Sequence, residues 1–94
     1  MQLRFYIDPE TGEPHIHRHR VSEAEVEEIL THAGEDRPGR DGSRIAVGRT
    51  LSGRLLRVVY VPDTQPESHF VIIAYDLQAK TAIAYRRRRR RKQR

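Results

Sequence analysis

The sequence predicts an α+β domain, a small antiparallel sheet with helices packed on one face, in the order β-α-β-β-β-α. Three observations predict it. Residues 2–7 alternate apolar and polar side chains. Residues 22–25 carry a helix-start signal. Between residues 44 and 75, three strand-like segments follow one another, separated by turn-forming stretches.

In the first strand Leu3, Phe5 and Ile7 face one way, and Gln2, Arg4 and Tyr6 the other. Asp8-Pro9 and Thr11-Gly12-Glu13-Pro14 break it. In Val21-Ser22-Glu23-Ala24-Glu25-Val26, the Ser22 hydroxyl can accept from the backbone N–H of Glu25. The Glu25 carboxylate can reach back to the N–H of Ser22. This is a capping box, and Val21 against Val26 is its hydrophobic staple. Glu23 and Glu25 also suit the positive end of the helix dipole. The helix is expected over residues 23–33, with Ala24, Val26, Ile29 and Leu30 buried and Gly34 as its stop. Residues 34–43 read as a polar loop. Residues 44–48 form a short strand, and Ser52-Gly53 marks the hairpin turn before a strand over 54–61. Residues 69–75, apolar on both faces from 70 to 74, read as the central strand. Asp76 is expected to cap a final helix, in which Ala79, Ala82 and Ile83 make a narrow apolar stripe.

Charge divides this chain of 94 residues unevenly. It has 18 basic and 13 acidic residues, net +5. Residues 86–94 hold eight of the positive charges and no negative one, so residues 1–85 carry ten basic against 13 acidic groups, net −3. The expected organisation is one domain over 1–85 with a basic extension over 86–94. So dense a cationic run attracts polyanions by counterion release, which points to RNA, DNA or the ribosome. Like charges three and four residues apart repel by about 0.2–0.5 kcal/mol per pair, so the final helix is expected to fray beyond Tyr85. The absence of cysteine excludes disulfides and thiolate metal sites and suits the cytoplasm. No apolar run approaches a membrane span, and no signal peptide is visible at the N-terminus.

Several stretches, in order, carry a family likeness. They are Phe5-Tyr6-Ile7-Asp8, the His19-Arg20-Val21-Ser22 entry to the first helix, and Val47-Gly48-Arg49-Thr50. Then come Gly53-Arg54-Leu55-Leu56-Arg57-Val58-Val59-Tyr60, and Ile72-Ile73-Ala74-Tyr75 leading into a basic helix. From about Phe5 to Tyr85 the chain resembles small toxins of the RelE/ParE superfamily, within it the BrnT-like group or a sister family sharing the fold. The BrnT-like pattern has Gly where this chain has Arg20, and tends to close its last strand with Arg where this chain has Tyr75. The resemblance implies a type II toxin: an endoribonuclease that inhibits translation and is neutralised by a separately encoded antitoxin.

Such RNA cleavage needs no metal or cofactor. The 2′-hydroxyl attacks the neighbouring phosphorus, a base takes its proton, an acid protonates the leaving 5′-oxygen, and cations meet the phosphorane charge. The catalytic candidates are His17, His19, Arg54, Tyr60 and Tyr75. Arg54 is read as a phosphate clamp on the face of Leu56, Val58 and Tyr60, or as an arginine snorkelling from a strand end. Tyr60 and Tyr75, on adjacent strands, can stack a splayed base or bond a phosphate, or serve only the sheet. His17 and His19 suit general acid–base work, because imidazole titrates near neutrality. Arg57, Arg86, Arg87 and Arg90 are the candidate RNA contacts, and the arginine run can equally meet acidic residues of an antitoxin. Two alternatives stand beside the toxin: a non-catalytic RNA- or ribosome-binding module of the same fold, and a metal-binding protein. The latter rests on His15, His17 and His19, which share a face if that segment is extended.

Overall fold

The computed structural model describes residues 1–65 and 67–92. Its strands are β1 (Gln2–Phe5), β2 (Glu35–Pro38), β3 (Arg44–Arg49), β4 (Leu55–Pro62) and β5 (Ser68–Asp76). They form one mixed sheet in the spatial order β1-β5-β4-β3-β2. A 3-10 helix (His15–His19) and α1 (Glu23–Thr31) lie between β1 and β2, and α2 (Ala79–Lys92) follows β5. The α+β class holds. The sheet has one strand more than the sequence suggested, and it is not wholly antiparallel.

β1 runs parallel to β5, with Gln2 opposite Ser68 and Phe5 opposite Val71. β5 with β4, β4 with β3 and β3 with β2 are antiparallel. The unforeseen strand is β2, inside the presumed polar loop. Its residues Glu-Asp-Arg-Pro show no apolar alternation, because it is an outer strand with solvent beyond it. Charge and proline are what keep such an edge from pairing further. β1 is shorter than expected: it stops at Phe5, and Ile7, expected on the strand's apolar face, is exposed in an isolated bridge to Pro14.

The capping box forms as read. Glu25 N–H donates to Ser22 Oγ at 3.1 Å, and Ser22 N–H to Glu25 Oε1 at 3.0 Å. Val21 and Val26, the staple, are both buried. The helix ends two residues early, at Thr31, and Ala24 is exposed. Gly34 does not stop it. The Gly34 N–H instead donates to Val47 O at 2.9 Å as the chain enters β2.

The helices do not share a face. Strand side chains alternate, so β3 and β4 present apolar residues to both sides. On one side Ala46, Leu56, Val58, Val71 and Ala74 pack with Val26 and Ile29 of α1 and Ile16 of the 3-10 helix. On the other, Val47 and Leu55 pack with Ala82 and Tyr85 of α2. Asp76 is the last residue of β5 rather than a helix cap. α2 continues through Lys92 instead of ending near Tyr85. Two ties hold its far turns: Arg88 Nε donates to Glu35 Oε2 at 2.5 Å, and Arg89 Nη1 to Gly34 O at 2.8 Å. These offset the like-charge repulsion along the helix, which is small per pair.

Candidate functional site

The residues that converge lie where β1 gives out. β1 pairs with β5 only as far as Val71, while β5 runs on to Asp76. The 3-10 helix packs against β5 and brings His19 beside Tyr75, with ring centroids 6.0 Å apart. On β4, Arg57 sits directly opposite Tyr75. The Arg57 guanidinium stands 6.0 Å from the Tyr75 ring centroid, and Nη1 donates to the Tyr75 hydroxyl at 3.4 Å. His15 extends the row, 5.6 Å from His19. His19 is exposed and Tyr75 half-buried.

A cleft of about 200 Å³ opens at this point, lined by Arg57, Tyr75, Leu77, Gln78 and Thr81. Arg57 Nε is buried and has no hydrogen-bond partner among the described residues. No carboxylate among them pairs with Arg57 either. A half-buried cation without a counter-charge, lining a cleft together with a phenol, is suited to an anion, and the His19 imidazole lies on that phenol's ring. Thr81, in the first turn of α2, lines the cleft, and eight of the fourteen residues of α2 are Lys or Arg with none acidic.

Arg54 is placed differently. Nη1 donates to both Glu25 oxygens, at 3.0 and 3.1 Å, and to Arg20 O at 2.7 Å. Nε and Nη2 donate to Asp76 at 3.1 and 2.8 Å. The Ser22 N–H and then Arg54 hold the Glu25 carboxyl below its ordinary range, and Arg54 does the same for Asp76. Arg54 therefore ties α1 to the sheet, and its fork is filled by carboxylates rather than open to a phosphate. Tyr60 packs in the core on the α1 side, away from Tyr75. Its hydroxyl donates to Asp36 Oδ2 at 2.5 Å. Burial, then Asp36, pushes the Tyr60 hydroxyl up to about 12.

The three histidines do not form one ligand set. A 3-10 helix has about three residues per turn, so alternate residues diverge. His15 Nδ1 meets Asp8 Oδ2 at 3.1 Å, and Asp8 also pairs with Arg18. His17 Nε2 meets Glu23 Oε1 at 2.8 Å. Among the described residues no group of three or more His, Cys, Asp or Glu is arranged to hold a metal. The shared face that the metal-binding expectation rested on needed an extended segment, and this segment is a 3-10 helix.

Arg86 and Arg90 line a second cleft, of about 350 Å³, with Arg49, Tyr85 and Arg89. Arg87 is exposed on the crest of α2. Arg49 and Arg89 were not singled out from the sequence. Alternation along β3 puts Arg49 on the same side as Val47, and Arg89 follows Ala82 and Tyr85 at helical spacing, so both were within reach of the pattern. Among the described residues no helix is long and apolar enough to cross a membrane. Comparison with protein-family models, with curated proteins and with solved structures returns no match to this chain.

Proposed function

We propose that this chain is a toxin of the RelE/ParE kind, close to the BrnT-like group, and a metal-independent endoribonuclease that inhibits translation in the cytoplasm. The observation that carries the reading is the meeting of His19, Tyr75 and Arg57 beside the start of a cationic helix. In the reaction the 2′-oxygen forms a bond to phosphorus and the bond to the 5′-oxygen breaks. His19 takes the 2′-hydroxyl proton. Arg57 stabilises the charge on the phosphorane oxygens. The Tyr75 hydroxyl, oriented by Arg57, protonates the leaving 5′-oxygen and is reprotonated from water. The products are a 2′,3′-cyclic phosphate and a 5′-hydroxyl. Arg86, Arg87 and Arg90 hold further phosphates of the RNA.

The backbone at Arg20 adds support. Its φ is 56°, in the left-handed region that favours glycine, and Gly is what the BrnT-like pattern has there. The partners of this reading are RNA, free or on the ribosome, and an acidic antitoxin that meets the arginines of α2. Purified protein should cleave RNA to those end groups, and His19→Ala and Arg57→Ala should each slow cleavage by about 10²–10³-fold. A second reading, an RNA- or ribosome-binding module without catalysis, draws on the absence of any hydrogen bond between His19 and Tyr75. Tight, salt-dependent binding with RNA left intact would select it. Normal growth and intact RNA on induced expression would sink the toxin.

A further inference from the structure

We infer that the cleft of Arg49, Arg86, Arg89 and Arg90 is a second phosphate-binding site, which takes the opposite strand of a base-paired RNA. This rests on the reading of the chain as an RNA-acting protein, and it names the RNA class.

The charged groups of this cleft are all cations. Its lining is Arg49, Tyr85, Arg86, Arg89 and Arg90, with no carboxylate. None of the four arginines pairs with an acid among the described residues. Two are pre-positioned by the backbone: Arg49 Nη1 donates to Gly53 O at 3.1 Å and Arg89 Nη1 to Gly34 O at 2.8 Å. Each keeps further N–H groups for a ligand. Four guanidinium groups around one cleft repel one another, and a phosphate relieves that repulsion while accepting their forked hydrogen bonds.

The two clefts lie on opposite flanks of α2. Thr81 lines the first and Arg90 the second. Nine residues separate them, about two and a half turns, which places them on opposite sides of the helix and about 13 Å apart along its axis. Arg87 occupies the exposed crest between, while Arg91 lines a further cleft with Glu35 and Asp36. A single strand laid along one groove meets the cations of one flank. Cations on both flanks and the crest suit a helix seated between two rows of phosphates, as a stem presents.

The test measures binding of the full chain to 2′-O-methylated RNA, which this route cannot cleave. A stem-loop and an unpaired strand of equal length and composition are compared across a salt series. The stem-loop should bind at least tenfold tighter. Arg49→Ser and Arg90→Ser should each erase most of that preference and lower the salt slope for the stem-loop by about 1. Arg90 is exposed and makes no hydrogen bond or ion pair among the described residues, so its variant guards against misfolding. Equal affinity for the two RNAs, or a preference that survives both substitutions, overturns the second site while leaving an RNA-binding protein. Failure to bind either RNA overturns the RNA reading itself.

Discussion

Gly34 and Tyr85 compete for the same corner of the molecule. A Cβ on residue 34 would stand 1.9 Å from the Tyr85 hydroxyl and 3.0 Å from its Cζ. The missing side chain is what lets α2 lie close to the start of β2. Gly34→Ala should cost about 1–3 kcal/mol through overpacking, lowering the melting temperature by about 4–8 °C per kcal/mol. Tyr85→Phe removes the atom in the way. In that background Gly34→Ala should cost clearly less, and an unchanged cost in thermal melts would refute the clash.

Arg57 should separate activity from stability. It is half-buried without a counter-charge and its Nε has no partner, so Tyr75 compensates its desolvation only in part. Arg57→Gln should leave the melting temperature unchanged or raise it, while cleavage falls by about 10²–10³-fold. Arg57→Lys should not restore the rate, since an ammonium cannot both meet the phosphate and orient Tyr75. Parallel melts and single-turnover cleavage check this. A large loss of stability would mean that Arg57 serves the fold.

Arg20 is a residue whose replacement by glycine should help. A left-handed conformation costs an L-residue about 1–2 kcal/mol, and glycine's extra unfolded-state freedom costs about 0.5–1 kcal/mol. Arg20 O still accepts from Arg54 whatever the side chain. Arg20→Gly should therefore leave stability unchanged or raise it, by up to about 1.5 kcal/mol in denaturant melts. A loss above that size would show that the Arg20 side chain has a role.

The pH-stability profile should have two attributable edges. Glu25 and Asp76 have folded-state pKa values below their ordinary ones. Their contribution is present above about pH 4 and is lost as pH falls through the lowered values. Arg54→Leu should flatten this acid limb. Tyr60 is shifted the other way, to about 12. Its contribution is complete below about pH 10 and is lost as pH rises toward 12. Tyr60→Phe should remove that part of the alkaline limb, and ultraviolet titration should show a late-ionising tyrosine that this variant lacks.

What the sequence disclosed was local. Ser22 and Glu25 sit three residues apart and make their bonds within one turn, so the capping box was legible. The strand over residues 55–62 was legible because its side chains carry the period. β2 was not, because its pairing depends on a neighbouring backbone and its side chains answer to solvent. The site divided in the same way. The sequence points to His19, Tyr75 and Arg57 one by one, but its pattern puts Arg57 with the tail arginines and Arg54 and Tyr60 with His19. Alternation told that Arg54 and Arg57 diverge, yet not which of them would meet carboxylates. That depended on Asp76 staying in the strand, where the sequence suggested a helix cap.

The parallel pairing of β1 with β5 has a consequence for the making of the protein. His19 belongs to the stretch synthesised early, and Arg57 and Tyr75 to strands made late. The 3-10 helix that carries His19 rests on β5, so it has no platform until Asp76 has been added. A partly made chain therefore holds the pieces of the centre without the centre. For a protein read as attacking the RNA from which proteins are made, this timing postpones its chemistry until synthesis of the fold is nearly done.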